Sequence, residues 1–190
     1  MCAVKIVVDS TADIPAEERE RLGIELIPLK VHFGEETYLD GVNLGPDNFY
    51  DMLEKSPVLP TTSQPSPNDF LELYRRILER DPGAQIISFH LSSEFSGTYQ
   101  SAVIAKSMME GDPDITVIDS HSASYGFGAA AMLAAELARE GASKEQILEA
   151  VDRLLKGIRI YFLVDTLEYL QRGGRIGKAA ALIGGLLNIK

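Results

Sequence analysis

Short β-branched runs alternate with amphipathic helical patterns along most of the chain, and this alternation constrains the fold more than any other feature. Strands that alternate with helices of this length are typical of a mostly parallel sheet with helices on both faces. The sequence therefore predicts an α/β fold of that kind. The predicted strands cover residues 4–8, 25–33, 85–91, 115–118 and 159–164, and the predicted helices cover residues 16–22, 67–80, 97–109, 126–140 and 144–155.

One helix start is marked with particular clarity. Ser66 precedes Pro67 and is followed three residues later by Asp69. This spacing predicts a capping box with proline at the first helical position.

The charge balance excludes one class of partner. The chain has 28 acidic and 18 basic residues, which gives a net charge of −10, and it contains no run rich in lysine and arginine. Binding to a nucleic-acid backbone requires such basic patches. We therefore expect no nucleic-acid partner.

Cysteine content and hydropathy indicate the compartment. The single cysteine, Cys2, allows no internal disulfide and no cysteine-based metal site, which fits a reducing cytosol. The N-terminal apolar stretch ends at Asp9 and follows no basic segment, so it predicts a strand and not a signal peptide. The most apolar long window, residues 123–138, falls short of the ~20 apolar residues that a membrane helix needs. We expect a cytoplasmic protein with no membrane span.

Polar side chains follow several of the predicted strands. An acid and a hydroxyl end three of them, at Asp9 with Ser10, at Asp119 with Ser120 and at Asp165 with Thr166, and the strand at 85–91 leads into Ser92 and Ser93. In open α/β sheets, ligands bind outside the carboxyl ends of the strands. The sequence therefore predicts a polar crevice there, although each of these residues is also common in ordinary loops and helix caps.

Two hydroxyl-rich segments could hold an anion at this crevice. In SSEFSGT, residues 92–98, Ser96 is placed to cap a helix that opens at Gly97, with Ser93 one turn earlier. A helix start offers unpaired backbone N–H groups and the positive end of the helix dipole. The second segment, PTTSQPSP at residues 60–67, supplies Thr62 and Ser63 on a predicted loop stiffened by prolines. Both segments favour a carboxylate or a phosphate held by uncharged donors.

Several long motifs occur together in an order that resembles one known family. They are DSTADIP, TTSQPSP, SSEFSGTYQSA, VIDS followed by SYGFG, and DTLEYLQRGGRIGKAAALIGGLLNIK. With them the chain resembles the DegV family of bacterial fatty-acid-binding proteins from residue 4 to its last residue. The resemblance implies a two-lobed α/β protein, of which residues 1–157 would be the DegV-like N-terminal lobe and residues 158–190 the beginning of the second lobe.

The resemblance also implies a function. A family member encloses one long-chain fatty acid, such as palmitate or stearate, with the carboxylate at the mouth between the lobes and the tail buried. It is a binding protein and not an enzyme, has no cofactor, and presents the fatty acid to the catalytic subunit of a fatty acid kinase, which forms the acyl phosphate.

Candidate site residues follow from the matching motif positions. Thr62 and Ser93 correspond to the hydroxyls that contact the carboxylate, with Ser63, Ser96 and Gly97 in support. Arg175, the arginine of the GGRI motif, corresponds to a position near the mouth, where it would meet a partner or a forming phosphate. Arg172 lies on the other side of the same two glycines, and a solvated turn is the alternative for both arginines. We predict that the following residues line the tail or contact the partner: Phe95, Phe127, Met132, Leu182 and Ile183 for the tail, and Arg172 and Arg175 for the partner.

The chain departs from the family at its C-terminal end. Family members continue beyond the segment that corresponds to LLNIK, and a histidine from that later part joins the carboxylate site. None of His32, His90 and His121 occupies a matching position. We therefore expect either a fragment or a shortened relative with a pocket open on one side.

Three other functions remain as alternatives. The strand-end acids Asp9, Asp119 and Asp165 could bind magnesium in a phosphoryl-transfer enzyme, because carboxylates suit that ion. A serine hydrolase is disfavoured because the chain lacks the G-x-S-x-G elbow. Gly126 and Gly128 imitate a dinucleotide fingerprint, but they lie too far past the preceding strand.

Overall fold

The computed structural model describes residues 3–177 of the chain, and it alternates strands and helices as the sequence predicts. A short 3₁₀ helix, Ser10–Ala12, follows the first strand. Within residues 3–177, the strands are β1 (Val4–Asp9), β2 (Glu25–Ile27), β3 (Lys30–Phe33), β4 (Glu36–Leu39), β5 (Thr61–Ser63), β6 (Gln85–His90) and β7 (Ile115–Asp119). The α-helices of the same range are α1 (Ala16–Leu22), α2 (Pro46–Lys55), α3 (Pro67–Arg80), α4 (Thr98–Ser107), α5 (Tyr125–Arg139), α6 (Lys144–Gly157) and α7 (Glu168–Arg172).

Four strands form a central sheet in the order β2-β1-β6-β7. All three of its strand pairs are parallel. Parallel neighbours require crossover connections, and helices α1, α3 and α4 lie between the strands in sequence. The predicted parallel α/β architecture is confirmed.

Helices cover both faces of this sheet, so its strands are buried on both sides. Ile6 and Val8 of β1 lie in one apolar cluster with residues of α5 and α6. Val7, between them, lies in a second cluster with residues of α3 and α4. This alternation follows from the two-residue period of a strand. No helix within residues 3–177 is both long and apolar enough to cross a membrane.

A second, antiparallel sheet has the order β4-β3-β5. The prediction of one strand over residues 25–33 is wrong, because the segment is divided between two sheets. Pro28 has no N–H for a ladder, and the N–H of Leu29 donates to the hydroxyl of Ser10 at 3.0 Å. Residues 61–63, predicted as loop, form the edge strand β5, and helix α2 was not predicted.

The chain divides into two compact units, with the boundary between Ile158 and Arg159. In the second unit the predicted strand at 159–164 is wrong. Its composition suits a strand, but a strand needs a neighbour for its backbone hydrogen bonds, and within the described part of the chain no strand pairs with these residues.

Gly128 of α5 lies against the backbone of the 3₁₀ helix. A β-carbon at this position would be 2.2 Å from the carbonyl oxygen of Ala12. Only glycine allows that approach. Gly128 therefore serves the packing of α5 against the 3₁₀ helix.

We predict that Gly128→Ala destabilises the protein by about 2 to 3 kcal/mol, because the added methyl overpacks a backbone contact that cannot yield easily. Urea unfolding followed by circular dichroism measures the change. Gly157→Ala is the matched control, since a β-carbon there meets nothing within 4 Å, and it should leave stability unchanged or slightly raised. Equal stability of both variants would contradict the packing role of Gly128.

Candidate functional site

The carboxyl ends of β1, β6 and β7 lie side by side at one edge of the central sheet. Val8 pairs with Phe89, and His90 pairs with Asp119. Asp9 and Asp119 therefore share this edge, as predicted from the strand ends. Asp165 lies in the second unit and follows no strand.

Asp9 is fully buried at this edge and organises two strand ends. One carboxylate oxygen accepts the N–H and the hydroxyl of Thr11, at 3.1 and 2.6 Å. The other accepts Nδ1 of His90 and the N–H of Leu91, both at 3.1 Å. These hydrogen bonds tie the end of β1 to the end of β6 and satisfy a buried carboxylate.

The hydrogen-bond network continues from His90 into the core. Nε2 of His90 lies 2.8 Å from the Ser88 hydroxyl, which accepts the Tyr74 hydroxyl at 2.9 Å. The Asp9 carboxylate can only accept hydrogen bonds, so Nδ1 of His90 donates to it. Nε2 of His90 then accepts a hydrogen bond from the Ser88 hydroxyl. Burial raises the pKa of Tyr74 well above its usual value, against the opposite effect of its bond to Ser88, so the phenol remains a donor.

A serine hydrolase triad has the same sequence of hydrogen bonds, from serine to histidine to aspartate, as Ser88, His90 and Asp9. All three side chains are buried, with 0% exposure. A nucleophile has to reach a substrate carbonyl, and the Ser88 hydroxyl is enclosed between Tyr74 and His90. The geometry makes this network a structural one.

The loop after β6 carries Ser93 next to the end of β7. The N–H of Ser92 donates to the carbonyl of Ser122 at 2.8 Å and fixes the loop. Ser93 is exposed, and its N–H donates to Oδ1 of Asp119 at 3.2 Å. Burial raises the pKa of Asp119, but hydrogen bonds from the Ser93 hydroxyl and from the N–H groups of His121 and Ser93 outweigh it and hold the pKa below its usual value.

The start of α4 follows in the same segment. The Ser96 hydroxyl accepts the N–H of Thr98 at 3.3 Å and lies 2.9 Å from the Thr98 hydroxyl. The helix begins at Thr98, one residue later than predicted, and Gly97 is its N-cap without a capping side chain. Ser96 therefore caps the first helical N–H, as its position predicts.

Gln64 brings the second hydroxyl segment against this helix start. A β-carbon at position 97 would lie 2.8 Å from Nε2 of Gln64. Thr62 lies two residues before Gln64 on β5. The segments that carry Thr62 and Ser93 are thus adjacent in the fold, although they are far apart in sequence.

Thr62 and Ser63 lie on opposite faces of the small sheet. Thr62 pairs with Val31, and Ser63 pairs with Lys30; paired residues of antiparallel strands share a face, and successive residues alternate. The Ser63 hydroxyl lies 2.9 Å from Nε2 of His32. The Ser63 hydroxyl thus has a partner within the sheet, and the contacts of Thr62 and Ser63 with a carboxylate both stay predictions.

The predicted tail-lining residues have different environments. Phe127 is fully buried in the apolar cluster between the sheet and α5, and Met132 packs at the edge of that cluster. Phe95 is 41% exposed on the loop after β6. Leu182 and Ile183 lie outside the described residues. The core position of Phe127 accounts for its apolar character without a ligand, and the tail-lining role of all five stays a prediction.

The predicted partner arginines lie in the second unit, at the end of α7 and after it. Arg172 forms an ion pair with Glu168 one turn earlier, at 2.6 Å. Nη1 of Arg175 donates to the carbonyl of Gly173 at 2.6 Å. These interactions are local, and the proposed contact with a partner stays a prediction.

The magnesium alternative gains no support from the geometry. Within residues 3–177, no group of three or more histidine, cysteine, aspartate or glutamate side chains is arranged to hold a metal ion. Both oxygens of Asp9 are occupied by internal donors. Asp119 and Asp9 share an edge but serve separate loops.

The loop after β7 contains two strained residues. His121 has a φ of 48° and Ser124 a φ of 53°, and both are in regions that residues with a β-carbon rarely occupy. Asp119 accepts the N–H of His121 at 3.1 Å, and the Ser124 hydroxyl donates to Asp13 at 2.5 Å. These bonds hold the loop beside the 3₁₀ helix at the same edge.

Sequence reasoning missed two contributors to this site, His32 and His90, and the contact that Gln64 makes. Gln64 and His32 hold the second hydroxyl segment, and His90 connects Asp9 to the core. A weak signal existed for His90, since a polar residue that ends an otherwise apolar strand needs a buried partner. The partners of Gln64 and His32 depend on strand pairing and leave no local pattern.

Comparison with known proteins places this arrangement in a family. A family model described as an uncharacterised protein of the DegV family matches residues 3–190. The chain belongs to the DegV family. A DegV domain-containing protein of Clostridium perfringens is 40% identical to it over 190 residues.

Solved structures of other DegV proteins share the fold. DegV of Bacillus subtilis, described as a fatty acid binding protein, is 42% identical, with a TM-score of 0.90 over 100% of this chain. A stearic-acid-binding protein of Eubacterium ventriosum is 36% identical, with a TM-score of 0.86 over 96% of this chain. This chain spans 67% of the Clostridium protein and 66% and 64% of the two solved chains.

The contact between Gln64 and Gly97 can be tested in this DegV chain by a double-mutant cycle. We predict that Gly97→Ala costs about 1 kcal/mol because Gln64 must move aside, and that most of this cost disappears in a Gln64→Ala background. Urea unfolding measures all four proteins. Gly45→Ala, where a β-carbon meets nothing within 4 Å, should combine additively with Gln64→Ala, and additivity of Gly97→Ala would rule out the contact.

Proposed function

We propose that this chain binds a long-chain fatty acid, with its carboxylate at the carboxyl edge of the central sheet. Two of the similar solved structures are described as fatty-acid-binding and stearic-acid-binding proteins. The observation that carries the proposal is the contact of Gln64 with Gly97, which makes the Thr62 and Ser93 segments neighbours at that edge.

The head group would be held by uncharged donors. Ser93 is exposed at the edge, and Thr62 is exposed on β5. The start of α4 contributes the positive end of its dipole. Without such donors, the transfer of a carboxylate out of water costs several kcal/mol, or the carboxylate takes up a proton. Hydroxyls and a helix start therefore suit an anion that is bound reversibly.

The tail supplies the driving force. Palmitate has about 14 methylenes, and their burial at ~0.8 kcal/mol each favours binding by roughly 11 kcal/mol before the costs of association. Binding therefore depends on the tail for affinity and on the hydroxyls for orientation.

The wider role of the protein follows from the same proposal. We place the chain in the cytoplasm as a non-catalytic binding subunit that presents the fatty acid to a fatty acid kinase, with residues 158–190 as the beginning of a second lobe. Arg172 and Arg175 would face that partner or the forming acyl phosphate, where guanidinium groups suit phosphate.

Lipid analysis of the purified chain tests the binding proposal. Organic extraction followed by mass spectrometry should release a long-chain fatty acid in an amount comparable to the protein, because a buried tail is retained through purification. Folded protein that neither retains fatty acid nor binds added palmitate would contradict the proposal.

Alanine substitutions test the head-group contacts. We predict that Thr62→Ala and Ser93→Ala each weaken palmitate binding by about five- to thirtyfold, or ~1 to 2 kcal/mol, since each removes a hydrogen bond to a charged group. Isothermal titration calorimetry measures the affinity. Ser107→Ala, at the exposed far end of α4, is the control and should bind like the parent. Unchanged affinity in both site variants would mean that the head group binds elsewhere.

A further inference from the structure

The Asp119 carboxylate accepts the backbone N–H of Ser93. Its Oδ1 lies 3.2 Å from that nitrogen and 3.1 Å from the backbone nitrogen of His121. Burial raises the pKa of this carboxylate, but the hydrogen bonds that it accepts outweigh burial and hold the pKa below its usual value. The side chain of Asp119 is only 12% exposed, and Nδ1 of His121 lies 3.7 Å from its Oδ2. Asp119 is therefore an ionised group directly beside Ser93.

This arrangement matters for any anion that binds Ser93. The N–H of Ser93 already donates to Asp119, so the hydroxyl is the group of Ser93 that remains to donate to a ligand carboxylate. The ligand must also approach a fixed negative charge, and like charges at such distances repel each other.

We propose that Asp119 is a positioning residue that holds Ser93 by its backbone N–H, repels the ligand carboxylate that the Ser93 hydroxyl binds, and so limits the affinity for fatty acid anions. This inference rests on the proposed function. It assigns a regulatory part to a residue whose strand-end position alone suggested magnesium binding. A limit on head-group affinity favours release of the ligand, which a presenting protein requires.

The test compares the parent protein with Asp119→Asn at one fixed pH. Oδ1 of asparagine still accepts the N–H groups of Ser93 and His121, so the loop keeps its shape while the charge is removed. We expect palmitate to bind about three- to tenfold more tightly to the variant. The uncharged analogue hexadecanol should bind equally to both proteins.

Asp114→Asn is the matched control. Asp114 lies just before the opposite end of β7, and its hydrogen bond with Lys144, followed by that with Gln85, holds its pKa below the usual value. The control makes the same change in net charge as Asp119→Asn. It should leave palmitate affinity unchanged, although it removes an ion pair with Lys144.

A second neutral variant covers the case in which Asp119→Asn does not fold. Asp119→Ser keeps an oxygen that can accept the N–H of His121 in the same local turn, and it should also bind palmitate more tightly.

The outcomes separate this inference from the proposed function. Palmitate affinity that falls or stays the same in the neutral variants would overturn the role of Asp119, as would an equal gain for hexadecanol, because the effect would not depend on the ligand's charge. If the parent protein binds neither ligand, the proposed function fails and this inference fails with it.

Discussion

The buried carboxylate of Asp9 is the interaction on which the edge of this sheet depends. A carboxylate without water is unfavourable unless its oxygens are hydrogen-bonded, and Asp9 meets this condition by accepting donors from Thr11, His90 and Leu91. The requirement fixes the 3₁₀ helix after β1 and the exit of β6 relative to each other. Within the described residues, no buried side-chain polar atom lacks a hydrogen-bond partner.

The candidate site is built on that fixed edge by side chains that remain exposed. Ser93 follows Leu91 by two residues, and Gln64 brings the Thr62 segment against Gly97. The two carboxylates of the edge differ in their surroundings: Asp9 is saturated by internal donors, whereas Asp119 holds donors that a ligand could also use. Burial thus gives one acid a structural part and leaves the other beside the proposed ligand. The same contrast explains why acids at strand ends need not indicate a metal.

The sequence predicted features that depend on neighbours in the chain. The capping box of Ser66 and Asp69 forms as expected, and the parallel sheet follows from the alternation of strands and helices. Features that depend on distant partners were missed. The break after Ile27 requires the Ser10 hydroxyl, 19 residues from Leu29, and β5 requires β3 as its neighbour. Residues 159–164 have strand propensity, but propensity cannot supply a pairing partner. The edge of the sheet that carries the site was therefore predicted correctly, whereas the contacts that assemble the site could not be predicted from the sequence.

The most direct test is a crystal structure of this 190-residue chain with palmitate. We expect the ligand carboxylate to lie within hydrogen-bonding distance of the Thr62 and Ser93 hydroxyls, at the carboxyl edge, with the Asp9 hydrogen bonds intact. A carboxylate bound at the opposite edge of the sheet, or one that contacts neither hydroxyl, would contradict the proposed site.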